Sequence, residues 1–312
     1  MGRLSKLRTV DPVLTNLSIG YANEEMIADQ LVPVVDIDKE GARIPKWGRG
    51  AFKIYNTERA LRAKSNRISP EDNDDVMVAL DEHDAEYPID YREDQEAAFD
   101  LEAHATFSAT EAVMLRREKA VADMVANPAN FPTGNKLALS TGDKFNDDAS
   151  DPEAIISDAK ASVRARIVRE PNTLTLGYTA ARALRRHPKL RAILSDSRAK
   201  LLTMQDLAAI FEVDRVLVGK GVYDTDAGVQ TDLWGAIALL SYTAPAGPAG
   251  PNGRSTRTPY QPSFGYTLRK RGSQQVDSRL EEGGKIQLVR YTDIYRPYLL
   301  GADAGFLLTN VV

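Results

Sequence analysis

The sequence has no cysteine and only three histidines, His83, His104 and His187. The absence of thiols excludes disulfides, thiol nucleophiles and cysteine-ligated zinc or iron–sulfur sites. Three histidines far apart in the sequence are also few for a catalytic triad or a His-based metal site. The acids around His83 are no specific signal, because acids occur at nearly every other position of that segment. We therefore expect no metal ion and no cofactor.

Long hydrophobic runs are also missing. Apolar runs such as residues 234–240 are far shorter than the ~20 residues of a transmembrane helix, and no apolar signal core follows the charged N-terminus. The apolar fraction of 43% is ordinary for a globular protein, and the net charge of −4 argues against a surface that binds nucleic acid throughout. We expect a soluble chain of about two domains without a membrane partner.

The motifs that mark common catalytic sites are absent as well. The sequence contains no phosphate-binding P-loop, no dinucleotide-binding glycine fingerprint after a strand, no G-x-S-x-G and no H-E-x-x-H. Residues 224–228, DTDAG, resemble part of a calcium loop but lack its bidentate glutamate, so a turn between strands is the better interpretation. We predict that the chain is not an enzyme.

Charge is distributed in two adjacent blocks of opposite sign. Residues 43–67 hold eight basic residues against one acid, and residues 71–102 hold fourteen acids against one base. Such blocks pair within a chain, pair between copies, or form solvated surfaces. A smaller basic cluster lacks interleaved aromatic residues, so we interpret it as a solvated helix face rather than a phosphate-binding surface. This cluster consists of Arg182, Arg185, Arg186, Lys189 and Arg191.

The first half of the chain predicts extended elements followed by one long helix. Residues 1–35 show no sustained hydrophobic period and suggest an arm, and glycines punctuate a predicted hairpin over 41–67 that includes an alternating strand at 51–55. Short strands are predicted at 76–80 and 85–90. Residues 91–125 contain neither glycine nor proline and are rich in helix formers, so they predict one helix of about 50 Å.

The second half predicts a compact α/β domain over residues 150–242. Helices are expected from Ser150 to about Val168, at 179–186 and at 206–211, and strands at 173–176, 215–218 and 233–242. Alternating helices and strands imply a central sheet. A loop follows at 244–262, and further strands are expected at 264–271, 285–291 and 304–312.

Segments spread over nearly the whole chain resemble one family, the major capsid proteins of tailed double-stranded DNA bacteriophages. The resemblance is carried by DPVLTNL at 11–17, IADQLVPVV at 27–35, NTLTLG at 172–177, LRRHP at 184–188, FEVDRVLVG at 211–219, LWG at 233–235, PSFGYT at 262–267 and GADAGFLL at 301–308. Their order and spacing make chance similarity improbable.

The resemblance implies an α+β fold of the Hong Kong 97 type. Its expected parts are an N-terminal arm at 1–35, an extended loop (E-loop) at 36–70, a peripheral (P) domain at 71–149 with a spine helix at 91–127, an axial (A) domain at 150–262, and closing strands at 263–312 shared between the A- and P-domains. It also implies a structural role. Hexamers and pentamers form an icosahedral shell in the virion, assembled in the bacterial cytoplasm around double-stranded DNA that is contacted non-specifically.

The expected partners are further copies of the chain, a portal, a scaffolding protein and a decoration protein. Some members of the family crosslink through a lysine and an asparagine. No motif links Lys53 or Lys64 to Asn310, so we do not expect crosslinking here. An encapsulin-like protein compartment is the alternative within the fold, and an α+β enzyme of unknown activity is the remote one.

In this family the E-loop lies over the P-domain of a neighbouring subunit, which suggests that the two charge blocks meet between copies and fix register. The basic contact residues would be Arg43, Lys46, Arg49, Lys53, Arg59, Arg62, Lys64 and Arg67. The acidic contact residues would be Glu71, Asp72, Asp74, Asp75, Asp81, Glu82, Asp84 and Glu86.

Overall fold

The computed structural model of the chain describes residues 9–10, 26–46, 57–59, 61, 64–66, 74–97, 100–193, 201–225, 228–245, 261–281 and 283–312. Its helices are α1 Ala28–Leu31, α2 Tyr91–Glu96, α3 Leu101–Ala126, α4 Pro152–Ile167, α5 Tyr178–Arg186, α6 Pro188–Ile193 and α7 Met204–Ile210. Its strands are β1 Thr9–Val10, β2 Val34–Ile37, β3 Gly41–Lys46, β4 Asp74–Ala79, β5 Asp81–Asp90, β6 Lys136–Ala138, β7 Thr173–Gly177, β8 Arg215–Gly219, β9 Val222–Asp224, β10 Gln230–Asp232, β11 Ile237–Ser241, β12 Tyr266–Lys270, β13 Gln275–Leu280, β14 Ile286–Tyr298 and β15 Gly305–Thr309. Among these helices, none combines the length and apolar character needed to cross a membrane.

A five-stranded sheet in the order β6-β15-β11-β7-β8 forms the core of the second half. Every residue of β7 and β11 is buried, because helices cover both faces of the sheet. One face packs against α4, α5 and α7, and the other packs against α1 and α3. The central sheet predicted for residues 150–242 is present, with β7 paired to both β8 and β11. Two of its strands, β6 and β15, nevertheless come from outside residues 150–242, since strand pairing joins segments that local patterns treat separately.

A six-stranded sheet is built around the long strand β14. The order β1-β13-β14-β12-β2 is completed by β5, which pairs with β14 over ten residues. One face of this sheet packs against α3, where Val276, Val289, Tyr291 and Tyr295 are buried. The strand predicted at 285–291 is therefore only the first half of β14, which runs on to Tyr298.

Helix α3 joins the two sheets. Ala105 and Ala109 in its first half pack on the six-stranded sheet, and Val121 and Val125 in its second half pack on the five-stranded sheet. Its 26 residues span about 39 Å. Because the same rigid helix contacts both sheets, it sets their relative position.

The predicted continuous helix from residue 91 is wrong at its start. Helix α2 ends at Glu96, Ala97 is extended, and a new helix begins when the Asp100 side chain accepts a hydrogen bond from the Ala103 N–H. Aspartate favours this N-cap position because its carboxylate satisfies a backbone donor that the helix leaves free. The spine helix is thus α3, which begins ten residues later than predicted.

Strands β3 and β4 pair in antiparallel register from Gly41–Ala79 to Lys46–Asp74. They form the base of the predicted hairpin, whose returning strand lies beyond both the predicted end at 67 and the expected E-loop boundary at 70. The strand predicted at 51–55 and most of the loop predicted at 244–262 lie outside the described residues. The strand predicted from Leu233 begins only at Ile237, because residues 233–236 turn and place Trp234 in the core.

The remaining predicted elements of the second half are confirmed within a few residues. They are the helices at about 152–167, 178–186 and 204–210 and the strands at 173–177, 215–219, 266–270 and 305–309. The residues of each of these elements mostly favour either helix or strand, and Pro, Gly or a capping aspartate marks a boundary of the element.

Candidate assembly surfaces

The acidic segment on β5 meets arginines of β13 and β14. Glu86 of β5 is the register partner of Arg290 on β14. On the other neighbouring strand, β13, Asp277 accepts a hydrogen bond from Arg290 at 2.9 Å. Arg279 donates to both carboxylate oxygens of Glu86 at 3.1 Å, and Asp84 lies 4.0 Å from Arg290. The hydrogen bond to Asp277 raises the pKa of Arg290 despite its partial burial. A charged ladder therefore crosses three strands of one sheet.

Part of the predicted acidic contact surface is thus neutralised within the chain. Asp81 also has a partner, Arg296, at 3.5 Å. Glu82 is exposed and has no cation within ion-pair distance among the described residues. The acids of α2 are likewise exposed and form no ion pair within the described part of the chain: Glu93, Asp94 and Glu96.

The predicted basic residues are only partly described. Arg43 is exposed on β3 and its Nε lies 3.3 Å from Met77 Sδ on β4, its register partner. Lys46 is the register partner of Asp74, and Asp75 is the partner of Pro45. Arg59 and Lys64 are exposed in the described parts of the loop. The remaining predicted contacts lie outside the described residues: Arg49, Lys53, Arg62, Arg67, Glu71 and Asp72.

Sequence reasoning missed a buried carboxylate that holds the base of the arm. Glu118 on α3 accepts hydrogen bonds from the backbone N–H groups of Ile27 and Ala28 at 3.0 and 2.8 Å. It also accepts one from Trp234 Nε1 at 2.7 Å. Burial raises the pKa of Glu118, opposed by these three hydrogen bonds. No local pattern distinguishes this glutamate from the half-buried Glu102 and Glu111 of the same helix, because its partners lie 90 and more residues away.

Further contacts hold the residues that follow. Arg117, beside Glu118, forms an ion pair with Asp29 at 2.7 Å, and Arg215 of β8 donates to the Gln30 carbonyl at 2.9 Å. Thr267 of β12 donates to the Val32 carbonyl at 3.1 Å. The arm base, residues 26–33, is therefore attached to α3 and to both sheets.

His187 and His83 make hydrogen-bond and packing contacts within the fold. His187 is buried, and its Nε2 lies 3.1 Å from Ser150 Oγ and 3.0 Å from the Asp147 carbonyl. His83 stacks on Tyr295 with ring centroids 4.3 Å apart. Across the described part of the chain, no group of three or more histidine and carboxylate side chains is arranged to hold a metal ion.

The basic cluster of the second half is divided by the structure. Lys189 donates to the Ala149 carbonyl at 2.6 Å, and Arg191 lies exposed on α6. Three arginines instead line a groove between α5 and the residues before α7, together with a lysine that sequence reasoning did not include. The lining residues are Tyr178, Ala181, Arg182, Arg185, Arg186, Leu201, Met204, Val218 and Lys220.

Solved structures with a similar fold include a phage-related protein from Bordetella bronchiseptica RB50. It has a TM-score of 0.77 and 27% identity, over 97% of this chain and 98% of that one. An encapsulin from Synechococcus elongatus PCC 7942 has a TM-score of 0.51 at 11% identity, over 97% of this chain and 96% of its own, so that likeness concerns the fold alone. The Hong Kong 97-type α+β fold expected from the sequence is confirmed.

Two relatives share the sequence along its whole length. The protein named major capsid protein of Burkholderia phage BcepMu is 53% identical over 100% of this chain and 99% of its own length. The protein of the same name from Pseudomonas phage JBD67 is 31% identical over 97% of both chains. No protein-family model matches the sequence. On the strength of these two full-length relatives, the chain belongs to the family of phage major capsid proteins.

Proposed function

We propose that copies of this chain assemble as hexamers and pentamers into the icosahedral shell that encloses the double-stranded DNA of a phage. The observation that carries the proposal is the 53% identity, over 100% of this chain, to a protein named major capsid protein. The architecture supports it, because α3 packs against both sheets and the paired strands β3 and β4 begin and end the segment proposed as the E-loop. Shell subunits need a rigid body with extensions that reach neighbours.

The finer roles follow from the same proposal. Residues 26–33 serve as the anchored base of an N-terminal arm, α3 as the spine of the peripheral domain, and the five-stranded sheet as the core of the axial domain. The shell forms in the bacterial cytoplasm and becomes part of the virion. Portal, scaffolding and decoration proteins are its expected partners, and contact with DNA is independent of sequence.

The first experiment images the purified protein by negative-stain electron microscopy and measures its sedimentation with and without nuclease. We expect closed shells whose mass from sedimentation is far above the 34.3 kDa of one chain. Shells made in infected cells should hold DNA that nuclease does not degrade. Shells loaded with a protein cargo instead would favour the encapsulin-like compartment. A stable monomer that never assembles, even with lysate from the source supplying scaffold, would contradict the proposal and favour the enzyme alternative.

We also propose that the basic E-loop contacts the acidic face of a neighbour's peripheral domain. The exposed acids without a partner in the described chain, Glu82 on β5 and the three of α2, are the strongest candidates for that contact. Asp81, Asp84 and Glu86 contribute less, because intrachain arginines offset them.

The triple variant R59E/R62E/R67E tests this contact. We expect it to block shell assembly and leave a folded subunit, since like charges placed opposite each other across an interface cost several kcal/mol. The matched control R59K/R62K/R67K retains the charge and should assemble. Shells formed by the glutamate variant in normal yield would contradict the contact.

A further inference from the structure

The groove beside α5 combines an apolar surface with unpaired positive charge. Tyr178 and Leu201 at its edge are 48% and 49% exposed and give it apolar surface. Arg182, Arg186 and Lys220 are exposed, and none of the three has a carboxylate within ion-pair distance among the residues that the structure describes. A partner that fits this groove presents apolar side chains flanked by carboxylates.

The β9–β10 hairpin has that chemistry. Residues 221–235 contain three aspartates and no basic residue. Asp224 lies exposed on β9 and Asp232 half-buried on β10, and neither forms an ion pair within the described chain. Val222 and Val229 beside them are 41% and 59% exposed.

The groove and the hairpin lie on opposite faces of the edge strand β8. Val218 faces the groove and the cluster that contains α5 and α7. Leu217 faces the other cluster, where Tyr223 at the base of the hairpin and Leu233 after it also pack. The Tyr223 ring lies 5.1 Å from Lys119 Nζ on α3. The hairpin is therefore held on the α3 side, away from the groove of its own copy.

We propose that the β9–β10 hairpin of one copy binds the basic groove beside α5 of the next copy. Two different, complementary surfaces on one subunit produce a head-to-tail contact, which closes into a ring when the rotation permits. This inference rests on the proposed assembly into hexamers and pentamers. It places the contact between neighbouring copies of each ring beside β8, an edge strand of the five-stranded sheet.

Charge reversal on each side tests the contact. The variants R182E/R186E and D224K/D232K should each raise the concentration needed for ring formation at least about tenfold, because close charge pairs across an interface couple by more than the ~1.4 kcal/mol that a tenfold change represents. The combined four-residue variant should regain most of the loss. R191E, which reverses an exposed arginine of the next helix outside the groove, is the matched control and should assemble normally.

A mixture of the two reversed variants gives a sharper result. Copies that alternate around a ring present opposite charges at every contact, but only when the ring has an even number of members. Native mass spectrometry of the mixture should therefore recover hexamers and not pentamers.

The possible failures are distinguishable. If wild-type protein forms no rings, even with lysate from the source supplying scaffold, the proposed function is wrong. If wild-type rings form and the reversed variants, shown to be folded by circular dichroism, assemble equally well, the hairpin–groove contact is wrong. Loss of packaged DNA with unchanged rings in R182E/R186E would assign the groove to nucleic acid and also overturn the proposal.

Discussion

The two sheets bury their residues differently. In the five-stranded sheet, β7 and β11 are buried at every position because helices cover both faces. In the six-stranded sheet, β5 alternates between exposed residues and half-buried ones that lie towards α3. Sheets covered on both sides are built from continuous apolar strands, whereas antiparallel sheets tolerate one solvated face.

This difference indicates a division of roles. The covered sheet contributes most of the hydrophobic stabilisation, since burial of apolar area is its main source. The open face of the other sheet carries charged ladders, which contribute little to folding and much more to the choice of partner. Three comparisons test that division.

The largest difference is expected between equal truncations in the two sheets. Leu240→Ala removes a side chain with no exposed area from β11 and should lower the free energy of unfolding by about 2–5 kcal/mol. Leu280→Ala, at a position of β13 that is 68% exposed, should change it by less than about 0.5 kcal/mol. Urea unfolding of the unassembled subunit measures both. Equal losses would contradict the division.

The next largest loss of stability is expected for a substitution at Glu118 on α3, the helix that packs against both sheets. Glu118→Gln leaves one acceptor oxygen for three donors and should cost about 1–3 kcal/mol. The loss should depend on pH. Because burial raises the pKa of Glu118 in the folded state, its contribution is full below its ordinary pKa of 4.5 and falls as the pH rises through the folded-state pKa.

The stability difference between wild type and E118Q should therefore be larger at pH 4 than at pH 7, as measured by urea unfolding at each pH. Glu102→Gln, which replaces a half-buried glutamate in the first turn of the same helix, serves as the control. A difference that grows towards pH 7 would show that the hydrogen bonds outweigh burial.

The smallest effect is expected on the open sheet. Arg296→Ala breaks an ion pair with Asp81 in which both side chains are about half exposed, so it should change stability by less than about 1 kcal/mol. Thermal unfolding at low and high salt measures it. A loss comparable to that of Leu240→Ala would contradict the division, because an exposed ion pair of the six-stranded sheet would then stabilise the subunit as much as a buried leucine of the five-stranded sheet.

Much of the fold was predictable from local patterns. The helix at 152–167 was marked by Asp151 as cap and Pro152 in its first turn, and apolar residues indicated the strands at 173–177 and 215–219. The acidic block was also evident, but its neutralisation was not. Arg279, Arg290 and Arg296 lie some 200 residues away, and only the pairing of β14 with both β5 and β13 brings them to it.

The sequence by itself determined the type of most elements of the second half and where the charges lie, because these depend on residue type and spacing. It did not determine the partners of Glu118, the break at Ala97 or the lysine that completes the basic groove. The partners of Glu118 lie 90 and more residues away, Lys220 lies in a different element from the arginines of α5, and the break at Ala97 depends on the competition of one carboxylate with a helix. Only the tertiary structure decided that the acidic hairpin and the basic groove lie on opposite faces of one edge strand, because the side chains of a strand alternate between two layers that the fold fills from different parts of the chain.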